Sequence, residues 1–486
     1  MRLPGGDSAA RLADRLNALD YTVEGVRRYL GPVAAAALDR EEVVPAARAL
    51  SKDTSPLATV ITAFLLGGTV DASTLEGSLG LTISELMDLV ECDGSQVRGQ
   101  VEVAPYGSDQ HDWWVASDWS SRRTGRPTAA EHVLGVGRAS TMLAQCTVRP
   151  DVDRALDVGT GCGVQAFHLA GHARSVTATD VSRRCLALAG FNASMNRIML
   201  DLRMGNLLEP VAGERFDLIV SNPPFVIGSP AGQRHDYRDS GLAGDAVCEA
   251  VVRGAGSHLT ADGWCQLLAN WEVTDGDDWA AHPRSWVAAT GLDAWVIQRD
   301  VQDPASYVET WLRDAGQQRS DAYRASYDAW LSALDRRGVL GIGFGLITLR
   351  QGGRATPHQR FQHVPQAWAQ PVAADVQRWF EVRDITATAP ADLLQRGLRV
   401  GGDVVVEHRG RVGDADPVSL LSRTSGMAWT APVDAFGLGV LEALDGRRPA
   451  AEAVLETAQE HGIAPEEALA ASIPILAQMA EEGFVL

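Results

Sequence analysis

Four consecutive residues, Asn222-Pro223-Pro224-Phe225, stand at the end of the apolar run 216–221. Their types suit one chemical task. Two prolines stiffen the turn and remove backbone N–H groups that would compete for nearby carbonyls. The Asn222 side-chain oxygen and the Pro223 carbonyl are then free to accept hydrogen bonds from an NH2 group. The lone pair of an amide or aromatic amino nitrogen is delocalised, so it attacks poorly unless it is held and drawn toward an electrophile. An aromatic at position 225 can stack on the planar group, a contact worth about 1–3 kcal/mol for a base. Such a reaction depends on positioning rather than on a strong base or a metal.

Some sixty residues earlier lies Asp157-Val-Gly159-Thr160-Gly161-Cys-Gly163, which runs from an apolar segment into a glycine-rich turn and then a helical pattern. Glycines at every second position let the backbone turn tightly and pass close to a ligand. The device alone does not separate one nucleotide ligand from another. Asp157 narrows the choice, because a carboxylate before the loop repels a pyrophosphate and suits a cationic amino-acid group. Asp180 closes the next apolar segment, where a carboxylate can accept from both ribose hydroxyls.

Both motifs need strand ends to hold them. Strands are predicted over 155–158, 175–179, 202–205, 216–221, 264–271, 294–299 and 341–350, with helices over 164–170, 183–196 and 245–259. That alternation specifies an α/β fold, a seven-stranded doubly wound Rossmann-like domain over 106–360. Open sheets of this kind bind ligands beyond the carboxyl ends of their strands, which puts 222–225 at the mouth of a site. Residues 1–105 read as helical and winged-helix-like. Helical spacing covers 8–30 and 45–65, a helix-turn-helix pattern covers 73–90, and a wing strand is expected near 97–104. The segment 361–486 is mixed, with a strand expected at 403–407. Helices at 432–444, 449–461 and 465–482 close it in a second winged-helix-like module.

With these residues in place, the chain resembles the class I S-adenosylmethionine-dependent methyltransferases, in the group whose Asn-Pro-Pro-(Tyr/Phe) motif marks N-methylation. The resemblance implies a cofactor site of Asp157, Gly159, Thr160, Gly161, Gly163, Asp180, Val181, Asn206, Leu207 and Asn222. Asp157 would lie by the methionine part, Asp180 at the ribose and Asn206 at the adenine amino group. It implies a catalytic set of Asn222, Pro223, Pro224 and Phe225, and no metal. Gly137-Arg138-Ala-Ser-Thr141 is similar to the approach segment of release-factor glutamine methyltransferases, which adds Arg138 and Thr141. Residues 239–245 are similar to the loop that follows their tetrapeptide. The implied acceptor is a planar nitrogen of a macromolecule, with a protein glutamine amide favoured. The alternatives are a nucleobase amino group (adenine N6 or guanine N2) in RNA, and a cofactor-binding scaffold without catalysis.

The net charge is −19, with 45% hydrophobic and 22% charged residues. This disfavours nonspecific attraction to a polyanion. The second helix of the helix-turn-helix pattern displays Glu85, Asp88 and Glu91 and no basic residue, so sequence-specific DNA reading is not expected. Acidic residues likewise outnumber Arg447 and Arg448 at the C-terminal end. The six cysteines form no CxxC pair, which suits neither zinc nor a disulfide framework. No apolar run reaches the roughly 18–20 residues that span a bilayer. The first residues lack a signal-peptide core, and a cytoplasmic location is expected. Trp113, Trp114 and Trp119 could wall a substrate or cover a seam. His111 and His168 are not needed as bases.

Overall fold

The computed structural model describes residues 2–107, 111–125, 129, 131–224, 226–227, 244–314, 322–412 and 418–486. The chain forms two compact units, residues 1–143 with 151–363, and residues 144–150 with 364–486.

The first unit is built on one large sheet. Its strands are β1 (Val152–Val158), β2 (Ala173–Asp180), β3 (Asp201–Met204), β4 (Phe216–Ser221), β5 (Leu259–Val273), β6 (Asp293–Gln302), β7 (Gly341–Arg350) and β8 (Gln359–His363). They lie in the order β8-β6-β7-β5-β4-β1-β2-β3, and all neighbours are parallel except where β7 runs against β5 and β6. The expected seven strands are present. The sheet has an eighth, β8, and this corrects the seven-stranded expectation. Its residues Gln-Arg-Phe-Gln-His lack the alternation that signals a strand, and it forms by pairing with β6 at the edge. There Arg360 lies over the Trp295 ring and Arg284 over that of Phe361, so cations supply the cover that apolar side chains usually give.

Chain order reverses between β1 and β4. β1 leads outward to β2 and β3, whereas β4 leads the other way to β5, which opens a crevice where their carboxyl ends part. The Ser221 hydroxyl donates to the Val158 carbonyl at 2.8 Å and ties these two ends together.

Helices flank the sheet: α1 (Arg138–Cys146), α2 (Val164–Ala170), α3 (Arg183–Met195), α4 (Ala246–His258), α5 (Ala281–Ala288), α6 (Pro304–Asp314) and α7 (Tyr323–Arg336). α1 and the last three were not predicted. Asp303 starts α6, its carboxylate accepting from the backbone N–H groups of Ala305 and Ser306, with Pro304 in the first turn. Tyr307, Val308 and Leu312 of α6 pack with Trp330 and Leu334 of α7. On the sheet, Trp271 of β5 is fully buried against β7. A Cβ at Gly343 would meet its ring at 2.4 Å, and one at Gly345 would stand 1.9 Å from the Ile297 carbonyl. Only glycine leaves room for both the indole and the ladder at those positions.

The N-terminal segment is helical, with breaks where one helix was expected. Residues 8–30 divide into Gly6–Ala18 and Val23–Leu38, separated by Asp20 with φ of 56° and restarted by the Thr22 cap. In the helix-turn-helix region, Ala72–Leu79 is followed by Ile83–Leu86, a single turn opened by a Thr82/Glu85 capping box. Glu85 is bound to Arg11. The expected wing divides into Gln96–Gly99, in a three-stranded sheet, and Glu102–Gly107, which pairs with Asp112–Ser117.

That hairpin is fixed to α3 by two amides one turn apart. Asn192 Oδ1 accepts the Ala116 N–H at 2.8 Å while its Nδ2 donates to the Ala116 carbonyl at 2.9 Å. Asn196 repeats the pattern at Trp114, with 3.0 and 2.8 Å. The side chains satisfy the free edge of the strand as a neighbouring strand would.

The second unit holds the helix Ala373–Thr388, an antiparallel sheet of Val404–Arg409, Val418–Arg423 and Thr430–Val433, and the helices Ala435–Ala443, Ala450–His461 and Pro465–Glu481. Buried Arg423 donates to Asp375, Asp403 and the Glu482 carbonyl, so its charge is matched inside the unit. Among the described residues no helix is long and apolar enough to cross a membrane.

Candidate functional site

A cleft of about 370 Å³ opens at the carboxyl ends of β1, β2 and β4. That lies within the usual size range of small-molecule sites. Gly159, Thr160, Gly161, Asp180, Val181, Asn206, Leu207, Asn222, Pro223 and Pro224 all line it, so segments that span more than sixty residues converge on one space. Phe225 and residues 239–243 lie outside the described residues.

The glycine loop is held from both sides. Gly159 and Gly161 take φ of 76° and 56°, which side-chain-bearing residues rarely adopt. Asp180, at the end of β2, accepts the Gly161 N–H at 2.9 Å and the Ser182 N–H at 2.8 Å. Asp180 also lines the cleft. Leu207 sits in the left-handed region with φ of 47°, a strained setting for a leucine, and lines the wall beside Asn206.

Asp157, Gly163, Arg138 and Thr141 are not among the cleft-lining residues. Asp157 is fully buried beneath the loop. Its Oδ2 accepts the Thr160 hydroxyl at 2.6 Å and the Ala166 N–H at 3.1 Å, which joins loop to helix. Its Oδ1 is buried without a hydrogen-bond partner. Burial pushes the carboxyl up to about 7, against the two hydrogen bonds that favour its charged form. Gly163 begins α2, where a Cβ would stand 3.0 Å from the Phe167 ring, so this glycine serves packing. Arg138 is exposed, and the Thr141 hydroxyl bonds back to the Gly137 carbonyl at 3.3 Å.

Between those two residues Ser140 does reach the cleft. Its carbonyl accepts from Gln165 Nε2 at 2.8 Å, and its hydroxyl lies 3.5 Å from Asn222 Nδ2. The amide nitrogen of Asn222 therefore points to α1, while its Oδ1 is buried with no hydrogen-bond partner. An acceptor oxygen withdrawn from water and left unmatched costs about 1–3 kcal/mol, which a bound N–H would recover.

Several lining residues were not predicted. Cys162 and Cys185 are buried thiols, and burial pushes Cys162 up to about 12 and Cys185 higher still, so neither is a nucleophile at neutral pH. Trp311 and Asp314 reach the cleft from α6, far along the chain. Asn192 of α3 donates to the Cys162 carbonyl at 2.9 Å and braces the loop from behind. An asparagine pair four residues apart in a helical pattern was the available signal, and only the folded edge it meets gives it meaning.

The three tryptophans of 112–119 cover a seam. Trp114 Nε1 donates to the Tyr21 carbonyl and Trp119 Nε1 to that of Gly99, and none of the three lines the cleft. His111 stacks on Trp113, and His168 Nε2 lies 2.8 Å from the Tyr106 hydroxyl.

The residues present fit S-adenosylmethionine. The Asp180 carboxylate lines the cleft where a ribose could be held, the glycine turns allow close approach, and the orphaned oxygen of Asn222 marks a place where an N–H donor is wanted.

Two sequence families match the chain, a domain of unknown function (DUF7059) over residues 18–100 and the methyltransferase small domain over residues 134–275. The release factor glutamine methyltransferase of Xylella fastidiosa strain 9a5c is 33% identical over 203 residues, covering 39% of this chain and 69% of that protein. Its namesake from strain Temecula1 is 35% identical over 162 residues, 31% of this chain and 56% of the relative. The ribosomal RNA small subunit methyltransferase C of Erwinia tasmaniensis is 34% identical over 133 residues, 27% of this chain and 35% of the relative. The chain spans only about half the length, or less, of most of the curated relatives it matches. The chain belongs to the S-adenosylmethionine-dependent methyltransferases built on the methyltransferase small domain.

Proposed function

We propose that this chain methylates a planar NH2 nitrogen of a macromolecule, with the side-chain amide of a protein glutamine as its acceptor. The observation that carries the reading is the unpartnered, buried Oδ1 of Asn222 at the carboxyl end of β4, inside the cofactor cleft. Bound S-adenosylmethionine supplies a methyl group made electrophilic by its positive sulfur. Asn222 Oδ1 and the Pro223 carbonyl each accept one N–H of the acceptor and fix its lone pair in line. Phe225 stacks on its plane. Asp180 holds the ribose, Val181, Asn206 and Leu207 the adenine side, and Gly159, Thr160 and Gly161 shape the turn beneath the amino-acid part. Asp157 keeps the loop and α2 in register. The product nitrogen releases its surplus proton to water, so no side-chain base is required.

Similarity to relatives named for glutamine methylation supports the protein acceptor. A second reading, an adenine N6 or guanine N2 amino group in RNA, uses the same oxygen and is supported by the ribosomal RNA relative. A scaffold that binds the cofactor without turnover would leave the Asn222 oxygen without a use. In our reading residues 106–360 perform the transfer, and the winged-helix-like segments 1–105 and 361–486 present the macromolecule. Action on a translation component would place the protein in the cytoplasm.

Tritiated methyl labelling of a lysate from the parent organism lacking this gene tests the reading. Label removed by protease and not by RNase supports the glutamine acceptor. Label removed only by RNase moves the acceptor to RNA, and no label at all overturns the activity.

A further inference from the structure

Trp311 and Asp314 lie beyond residue 275, where the family match stops, yet both line the cofactor cleft. They are three residues apart on α6, which puts them on the same helical face. The ring of the first and the backbone of the second are held in place. The Trp311 ring packs 6.1 Å from that of Tyr307, whose hydroxyl accepts the Ile227 N–H at 2.7 Å just after the tetrapeptide. The Asp314 carbonyl, at the end of the helix, accepts the Ser121 hydroxyl at 3.0 Å. This end of α6 is thus tied to the segment after the tetrapeptide and to the turn at Ser121.

The charges lining the cleft are one-sided. Among the described residues they are Asp180 and Asp314, and no arginine, lysine or histidine joins them. Asp180 is engaged with the glycine loop and its backbone, which leaves Asp314 as the second carboxylate at the mouth. A nucleotide brings a phosphate on each side of its base, and proteins that take up RNA meet those phosphates with Lys and Arg. A carboxylate in that position repels them. A glutamine side chain arrives on a peptide whose neighbouring N–H groups are donors, and a carboxylate accepts these well.

We infer that Trp311 and Asp314 form the acceptor-selecting wall of the cleft. Trp311 covers the apolar stem and flat amide of the incoming side chain, and Asp314 accepts from flanking peptide N–H groups and excludes phosphate. The inference rests on the methyltransferase reading above and names what selects its substrate. Neither residue touches the transferred group, so both are positioning residues.

The test uses the full chain and the same gene-deleted lysate, with label counted separately in its protein and RNA fractions. Variants Trp311→Ala, Trp311→Phe, Asp314→Asn and Asp314→Lys are compared with wild type, and S-adenosylmethionine affinity is measured by calorimetry for each. All four should bind cofactor within about twofold of wild type. Trp311→Ala should raise the half-saturating concentration of the protein fraction about tenfold or more, while Trp311→Phe restores most of it. Asp314→Lys should lower protein labelling and raise RNA labelling, in a manner that weakens with added salt. If wild type labels protein and both Trp311→Ala and Asp314→Lys do so with unchanged saturation, the inference is overturned and the activity stands. Label in RNA with wild type overturns the choice of acceptor. No label with wild type, despite cofactor binding, overturns the underlying reading together with the inference. Loss of cofactor affinity in the Trp311→Phe and Asp314→Asn variants would assign the pair to cofactor binding and overturn their selecting role.

Discussion

The Tyr307 hydroxyl accepts the backbone N–H of Ile227 at 2.7 Å, and so joins α6 to the segment immediately after the Asn222 tetrapeptide. Trp330 of α7 completes the clamp by donating its indole N–H to the Ile227 carbonyl at 3.1 Å. Both backbone groups of one buried residue are thus satisfied by aromatic side chains from an insertion between β6 and β7. Tyr307→Phe leaves the Ile227 N–H without its acceptor, at a cost of about 1–3 kcal/mol. We expect a matching fall in unfolding free energy by urea denaturation. Turnover should fall more than cofactor affinity, because the loosened segment leads from the tetrapeptide rather than from the glycine loop.

Asn222→Ala removes the unpartnered oxygen and keeps the turn. Cofactor affinity by calorimetry should change little, while turnover in the labelling assay should drop about 10²–10³-fold, the scale set by losing one preorganised polar contact at a reacting group. Wild-type turnover in this variant would remove Asn222 from the mechanism.

Asp157 gives a pH signature with a definite sign. Burial raises its carboxyl from an ordinary value of 3.8 to about 7. The folded chain therefore binds a proton between those values that the unfolded chain has released. The associated stability is fully present below the unfolded value and is lost as pH rises through the folded one, between about pH 4 and 7. Melting temperature of the cofactor-free protein should fall across that interval, and the fall should be shallower in Asp157→Asn. An identical pH dependence in the two proteins would show that this carboxyl does not titrate as its burial implies.

Asn192→Ala withdraws both halves of the contact to Ala116 and the brace on the Cys162 carbonyl. Buried backbone groups left unmatched should destabilise the fold by about 2–3 kcal/mol, read by denaturant unfolding. Because Cys162 belongs to the glycine loop, cofactor affinity should weaken as well. Asn196→Ala, which loses the contacts to Trp114 and the Asn192 carbonyl but none to the glycine loop, should cost stability with a smaller effect on affinity.

The sheet was legible because its signals are local. Runs such as 216–221 and 341–350 are apolar enough to specify buried strands, and both appear with the predicted limits. The glycine turn, Asp180 and Asn222 were legible for the same reason, since a ligand loop must fit between one strand and the next helix. Three features were not. β8 is polar and exists only because the edge of β6 is there to pair with it. The helix Ile83–Leu86, started by the Thr82/Glu85 capping box, is limited to one turn because Met87 then takes a positive φ of 49°. α6 and α7 carry apolar residues that could have faced any partner.

By itself, then, the order of residues determined the strand-loop-helix unit at the cleft and the Asn222-Pro223-Pro224 turn that lines it, since both are written within a few neighbouring positions. Only the tertiary structure decided that Asp157 lies under the loop rather than in the cleft, and that Ser140, and not Arg138 or Thr141, faces Asn222. It also brought Trp311 and Asp314 to the mouth of the site. Those outcomes depend on which faces of separate elements meet. Helical and strand periodicity say that a face is buried, but not what it is buried against.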